Sequence, residues 1–155
     1  MNQKKTFLAG EGDAWFIRNQ VVDEKQQSHW EEQDVLLPLL MQLPLPKGDA
    51  VRTVEVGCGQ GLRLSALQRL QGWRVAGLDP STQAVAAARS LNVDAHVGTA
   101  DQLPYDDSSV DCLIYGFCLY LCDPVDLFRI AAEAHRVLRP DSWLVILDFW
   151  SPIHR

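Results

Sequence analysis

Residues 54–64, VEVGCGQGLRL, constrain the fold more than any other stretch of this chain. Apolar residues alternate around one carboxylate, Glu55, and lead straight into Gly57, Gly59 and Gly61, with Cys58 between the first two. A helical pattern opens directly after them. Glycine admits positive φ and leaves the backbone bare, so a ligand can approach the peptide groups there. The N-terminus of the next helix points free N–H groups at the same spot, which suits an anionic group.

From Arg52 onward, short apolar runs alternate with helical segments. The pattern predicts strands at Thr53–Val56, Arg74–Leu78, Ala95–Val97, Asp111–Phe117 and Leu144–Phe149. It predicts helices at Leu62–Leu70, Thr82–Leu91 and Pro124–Leu138. The strand segments are nearly all apolar, as strands buried on both faces of a parallel sheet are. Ser81 suits the N-cap of the second helix, and Asp123 before Pro124 suits N-cap and N1 of the third. The alternation implies an α/β fold: a doubly wound, mostly parallel sheet of about five strands with right-handed crossovers.

A chain of 155 residues fits this sheet in a single domain with a sizeable core. Residues 49–155 form the sheet domain, whereas 1–48 are polar, rich in Gln, Glu and Trp, and end in VLLPLLMQLPLPKG. Asp34 to Leu43 reads as a short helix with Pro38 early in it or kinking it, stopped by Pro44, Pro46 and Gly48. A net charge of -6 argues against a partner held by phosphate attraction, so no nucleic acid is expected and a small-molecule substrate is. No apolar run is long enough to span a membrane, and the N-terminus lacks a secretory pattern. Cys58, Cys112, Cys118 and Cys122 show neither disulfide-framework nor metal-ligand spacing; reduced thiols in a cytoplasmic protein without a metal site are expected.

In a doubly wound sheet, ligands sit at the carboxyl ends of the strands. Asp79 ends the second strand, 18 positions after Gly61, and can accept bonds from both ribose hydroxyls of an adenosine. A dinucleotide fingerprint would place its third glycine at position 62, which is Leu62. The loop after the third strand brings Asp101, in GTADQLPYDDSSVDCLIYGF (98–117).

At this point the chain resembles the class I S-adenosylmethionine-dependent methyltransferases. The matching pieces are VEVGCGQG, GLDPSTQAVAAAR, GTADQLPYDDSSVDCLIYGFCLYLCDP and EAHRVLRPDSWLVILDF, in the family's order and spacing. The resemblance implies a Rossmann-like sheet of order 3-2-1-4-5 and S-adenosylmethionine as cofactor. Glu55 and the turn Gly57–Cys58–Gly59–Gly61 would hold the methionine part. Asp79 would clamp the ribose, with Pro80 and Ser81 beside the adenine. Asp101 would accept the adenine amine, flanked by Ala100 and the backbone of Gln102. Tyr115, Gly116 and Phe117 would line the methyl-transfer position.

A sulfonium methyl is already electrophilic, so catalysis is mainly alignment, and a base is needed only for a protonated acceptor. Tyr115 and Tyr120 are the catalytic candidates; His29, His96, His135 and His154 are weaker ones. In EGDAWFIRN (11–19), Trp15 and Phe16 form either a lid, with Arg18 pairing to the cofactor carboxylate, or a face packed on the core with Arg18 in solvent. The resemblance to small bacterial enzymes of surface-sugar pathways suggests transfer to an oxygen or nitrogen of a small molecule. The alternative is a non-catalytic or partner-dependent cofactor-binding module. Two departures stand out. The chain stops after the fifth strand of a usually seven-stranded sheet, leaving an edge that invites a second copy, and RPDSW (139–143) replaces the usual Pro-Gly-Gly turn.

Overall fold

The computed structural model describes residues 2–20 and 24–149. Strands β1 (Arg52–Val56), β2 (Arg74–Asp79), β3 (Asp94–Val97), β4 (Val110–Gly116) and β5 (Leu138–Leu147) form one parallel sheet of order β3-β2-β1-β4-β5. Glu55 lies between Gly77 and Ile114, and Val56 between Leu78 and Tyr115. The C-terminal ends of β1, β2 and β4 therefore come level, and the order reverses between β1 and β4.

Before the sheet come α1 (Gln3–Thr6), a π-helical turn (Phe7–Glu11), α2 (Gly12–Asn19), α3 (Glu24–Gln33) and α4 (Leu37–Leu40). Between the strands run α5 (Leu62–Gln71), α6 (Thr82–Ser90) and α7 (Leu127–Val137). Ser81 caps α6: its Oγ accepts from the Ala84 N–H at 3.0 Å. The expected helix at 34–43 shrinks to α4, with Pro38 in its first turn. Asp34 Oδ1 accepts from the N–H groups of Leu36 and Leu37 at 3.0 and 2.6 Å and fixes the entry to that turn. The helix expected from Pro124 opens instead as a 3-10 turn, Pro124–Asp126, before α7 begins; the Asp123 side chain makes no cap.

Alternation along the strands feeds two cores. On one side Cys112 and Ile114 pack with Leu64 and Leu67 of α5, Val85 and Ala88 of α6, and Leu36, Leu37 and Leu40. On the other, Leu113 and Tyr115 pack with Ile130, Ala134 and Val137 of α7. The fifth strand departs from expectation. It begins at Leu138, and residues 139–142 bulge out between the Val110–Leu138 and Cys112–Trp143 pairs. Arg139 Nη1 bonds both Asp111 oxygens at 2.8 and 2.9 Å, and Asp141 adopts a left-handed φ of 61°. Nor is β5 buried on both faces: Trp143, Leu144 and Ile146 are exposed, because among the described residues β5 pairs only with β4.

Candidate functional site

A cavity of about 410 Å³ opens over the C-terminal crest of the sheet. Its floor comes from Glu55 and the turn after β1, Asp79 and Pro80 after β2, Gly98 to Asp101 after β3, and Gly116 to Cys118 after β4. Its roof comes from Lys4, Phe7, Gly12, Trp15, Phe16 and Trp30.

The glycine turn is held to β2 by the backbone and by Asp79. The Gly57 N–H donates to Leu78 O at 2.7 Å. Asp79 Oδ2 accepts from the Gly59 N–H and Oδ1 from the Ser81 N–H, each at 2.9 Å. Burial pushes the Asp79 carboxyl above its usual value, and the two N–H donors oppose that shift. Each oxygen takes one of these bonds and can accept another, and Asp79 lines the cavity.

Asp101 is buried, with Oδ1 accepting from Thr99 Oγ1 at 2.7 Å and Oδ2 paired with Lys4 Nζ at 2.6 Å. Burial raises its carboxyl, but Lys4 and Thr99 outweigh burial and hold it below the usual range. Glu55 is 2 % exposed; Oε1 pairs with Arg63 Nη1, and Oε2 is buried without a hydrogen-bond partner. Burial pushes Glu55 up to about 7 despite Arg63. Phe117 holds a left-handed φ of 55° where β4 ends, a conformation that costs about 1–3 kcal/mol and recurs at binding sites.

Of the expected site residues, the cavity gathers Glu55, Gly57, Cys58, Gly59, Asp79, Pro80, Ala100, Asp101, Gly116 and Phe117. Six others lie outside its lining. Gly61 starts α5 and packs on α6, with no room for a β-carbon: one added there would lie 2.9 Å from Ala88 Cβ. Ser81 is buried as the α6 cap, and Gln102 is exposed, its N–H turned back to Thr99 O at 3.2 Å. Tyr115 points into the core beside α7, where its hydroxyl has no partner and burial raises its pKa. Tyr120 is 46% exposed and stacks edge-on against Phe149 at 4.9 Å. Arg18 points to solvent and pairs with Glu11 at 2.6 Å. Strand alternation sends Tyr115 to the opposite layer from Ile114, and Arg18 turns back to the Glu11 carboxylate just before α2 instead of entering the cavity.

Of the histidines, His96 pairs with Asp94 at 2.9 Å on the exposed edge, His135 is exposed on α7, His29 is absent from the cavity lining, and His154 lies outside the described residues. The polar residues that sequence reasoning missed are Lys4, Asp13, Asp34 and Arg63. Asp13 bonds Ser81 Oγ, Thr82 Oγ1 and the Gln83 N–H at 2.6, 2.9 and 3.1 Å, so the roof is tied to the start of α6. These pairings join residues far apart in the chain; only the Asp34 cap before an apolar run leaves a local trace.

The chain matches the methyltransferase-domain family model over residues 54–146. It belongs to the class I S-adenosylmethionine-dependent methyltransferases. A ubiquinone/menaquinone biosynthesis C-methyltransferase of Rubrivivax gelatinosus is 34% identical over 102 residues, covering 64% of this chain and 39% of that protein. A demethylmenaquinone methyltransferase of Shouchella clausii is 29% identical over 145 residues, covering 88% and 58%. Among solved structures, the complex between the Haloferax volcanii Trm112 methyltransferase activator and a methyltransferase matches at 30% identity and TM-score 0.68, over 86% of this chain and 58% of that one. The chain thus spans less than two thirds of the length of these relatives.

S-adenosylmethionine is the cofactor of this methyltransferase, and the residues present fit it. A β-carbon added at Gly59 would meet nothing within 4 Å, so bare backbone at a φ of +52° faces the cavity. The free Glu55 oxygen awaits a donor, and Asp79 presents two acceptors to a diol. Among the described residues no cluster of three or more His, Cys, Asp or Glu is built to hold a metal ion, and no helix is long and apolar enough to cross a membrane.

Proposed function

We propose that this methyltransferase methylates an apolar, ring-bearing small molecule. The observation that carries the reading is the aromatic roof: Phe7, Trp15, Phe16 and Trp30 face Phe117 and Leu121 across the cavity. Relatives named for quinone substrates, and the geranyl diphosphate C-methyltransferase of Streptomyces coelicolor at 25% identity and TM-score 0.63, support an apolar acceptor and transfer to carbon.

When bound, S-adenosylmethionine supplies an electrophilic methyl group on a cationic sulfur. We assign the ribose hydroxyls to Asp79, the adenine amine to Asp101, the amino group of the methionine part to Glu55, and its backbone cradle to Gly57 and Gly59. Residues 49–155 then form the binding domain and 1–48 its roof. The aromatic roof excludes water and suits a sulfonium through cation–π attraction. Holding the acceptor in line contributes most of the acceleration, on the order of 7–11 kcal/mol in favourable cases.

One observation supports a second reading. Asp123 Oδ2 is buried without a partner, and Asp123 lines the cavity. A carboxylate there favours an oxygen or nitrogen acceptor, a sugar-linked one included, that surrenders a proton as it is methylated. The four free cysteines support a reducing, cytoplasmic setting, and the apolar β5 edge supports self-association.

The test is incubation with S-adenosylmethionine and three acceptors, a naphthoquinol, a catechol and a nucleotide sugar, read by mass spectrometry. A ring-methylated naphthoquinol supports the first reading and a methylated hydroxyl the second. Binding of S-adenosylhomocysteine without transfer to any acceptor would leave a cofactor-binding module.

A further inference from the structure

We infer that Arg63 is the positioning residue that aims Glu55 at the cofactor's ammonium and favours its ionised form, and that Asp34 locks Arg63 in that pose from the N-terminal segment. The inference rests on the cofactor site proposed above.

The geometry has three parts. Arg63 reaches from the first turn of α5, pairing Nη1 with Glu55 Oε1 on one side. On the other, Nη2 bonds Asp34 Oδ2 at 2.6 Å and Nε bonds Asp34 Oδ1 at 3.2 Å, a two-point grip that fixes the guanidinium plane. The side chains of Arg63, Asp34 and Glu55 are 11%, 6% and 3% exposed, so solvent screens these charges little. Position 116 also yields space. A β-carbon added at Gly116 would lie 2.9 Å from Arg63 Nη1 and 3.2 Å from Glu55 Oε1, so glycine there leaves the ion pair its room at the end of β4. The Trp30 ring covers the other side, 5.9 Å from the guanidinium carbon.

The cluster holds two carboxylates and one guanidinium, and one lone carboxylate oxygen, Glu55 Oε2, is left in the cavity wall. A ligand ammonium would satisfy that oxygen and bring the cluster to neutrality. Asp34 and Asp79 repel the Glu55 charge; burial above all, with Glu55 among the smaller causes, pushes the neighbouring Cys58, Cys112 and Cys118 thiols up. Arg63 is the cation that pairs with Glu55, and it opposes the burial that favours the protonated acid, a form that cannot receive an ammonium bond. Arg63 in turn is disfavoured by burial, and Glu55 and Asp34 outweigh that and hold it charged.

The discriminating readout is the pH dependence of S-adenosylhomocysteine affinity, measured by calorimetry between about pH 5 and pH 8. A carboxylate binds the ammonium and a carboxylic acid does not, so wild-type affinity rises with pH and levels off above about 7, where Glu55 is ionised. In Arg63→Met the rise moves to higher pH, and affinity at neutral pH falls at least about tenfold, or about 1.4 kcal/mol. Arg63→Lys keeps the charge but not the two-point grip on Asp34, so it retains the wild-type profile and restores only part of the affinity. Asp34→Asn removes a charge that repels Glu55, so the rise moves to lower pH, while the loosened grip on Arg63 lowers the affinity reached above it. Glu55→Gln flattens the rise. Wild-type affinity, melting curves and these profiles separate the alternatives. If the wild type fails to bind S-adenosylhomocysteine, the cofactor site itself is wrong. If the wild type binds but Arg63→Met or Asp34→Asn weakens affinity equally at every pH, Arg63 is merely structural and the inference falls. Should Arg63→Met not fold, Asp34→Asn decides: a rise that moves to lower pH supports the inference, and an unmoved rise overturns it.

Discussion

At Gly59 an added β-carbon would stand in open cavity, whereas at Gly61, two residues on, it would press against Ala88 and Val93 at 2.9 and 3.2 Å. The two glycines look alike in the sequence and act at different levels: one leaves room for a ligand, the other lets α5 approach α6. Gly59→Ala should therefore cost about 1–2 kcal/mol of stability from its left-handed φ alone but remove most affinity for S-adenosylhomocysteine. Gly61→Ala adds overpacking to the same strain and should cost about 2–5 kcal/mol, with affinity per folded molecule nearly unchanged. Thermal denaturation and calorimetry on both variants check the contrast. Asp79 spans both levels, since it ties the glycine turn to the start of α6. Asp79→Ala should abolish ligand binding and lower the melting temperature, and Asp101→Ala should weaken binding more modestly. Equal, negligible effects on affinity would mean that the adenosine pocket is misplaced.

The N-terminal segment meets the crest at three points: Lys4 on Asp101, Asp13 on Ser81 and Thr82, and Asp34 on Arg63. Gly12 sits flush on this joint, where an added β-carbon would lie 3.2 Å from both Pro80 C and Ser81 N. The roof is thus fastened to the elements that floor the cavity, and a loosened fastening should show in ligand kinetics. Asp13→Ala should raise the dissociation rate of S-adenosylhomocysteine severalfold, with the melting temperature nearly unchanged, as read by stopped-flow fluorescence of the roof tryptophans. An unchanged rate would mean that α2 does not gate the site. Ser81, Thr82 and Gln83 hold the Asp13 carboxyl below its usual 3.8. A lowered carboxyl contributes above its unfolded value and loses that contribution as pH falls through its folded one, so the fastening weakens only in strong acid.

Across the whole molecule, Glu55 has the opposite sign. Its carboxyl rises from 4.5 to about 7, so the folded state holds a proton that the unfolded chain has released. Its contribution is full below 4.5 and is lost as pH climbs to about 7. Chemical denaturation across that window should show wild-type stability falling relative to Glu55→Gln as pH rises; parallel curves would contradict the burial that defines this end of the cavity. The open side of the sheet carries a separate expectation. Trp143, Leu144 and Ile146 are 39%, 44% and 53% exposed on a strand that, among the described residues, is paired on one side only, so concentration-dependent association should appear in sedimentation velocity and weaken in Ile146→Lys.

The succession of strands and helices, the glycine turn, Asp79 at the end of β2 and Asp101 after β3 were legible along the chain, because each is a local pattern: an apolar run, a bare turn, an acid at a fixed interval. The order of strands in the sheet came from the family resemblance. The sequence by itself determined a parallel doubly wound sheet with a nucleoside-sized opening at its crest. Only the tertiary structure decided that Tyr115 belongs to the core, that Arg18 belongs to solvent, that Lys4 and Arg63 line the cavity, and that Asp13 fastens its roof. Those outcomes depend on which layer a strand residue faces and on charges that meet across 29 to 97 positions of chain. Local periodicity cannot carry that information, because the partner that stabilises each buried charge lies in a different element.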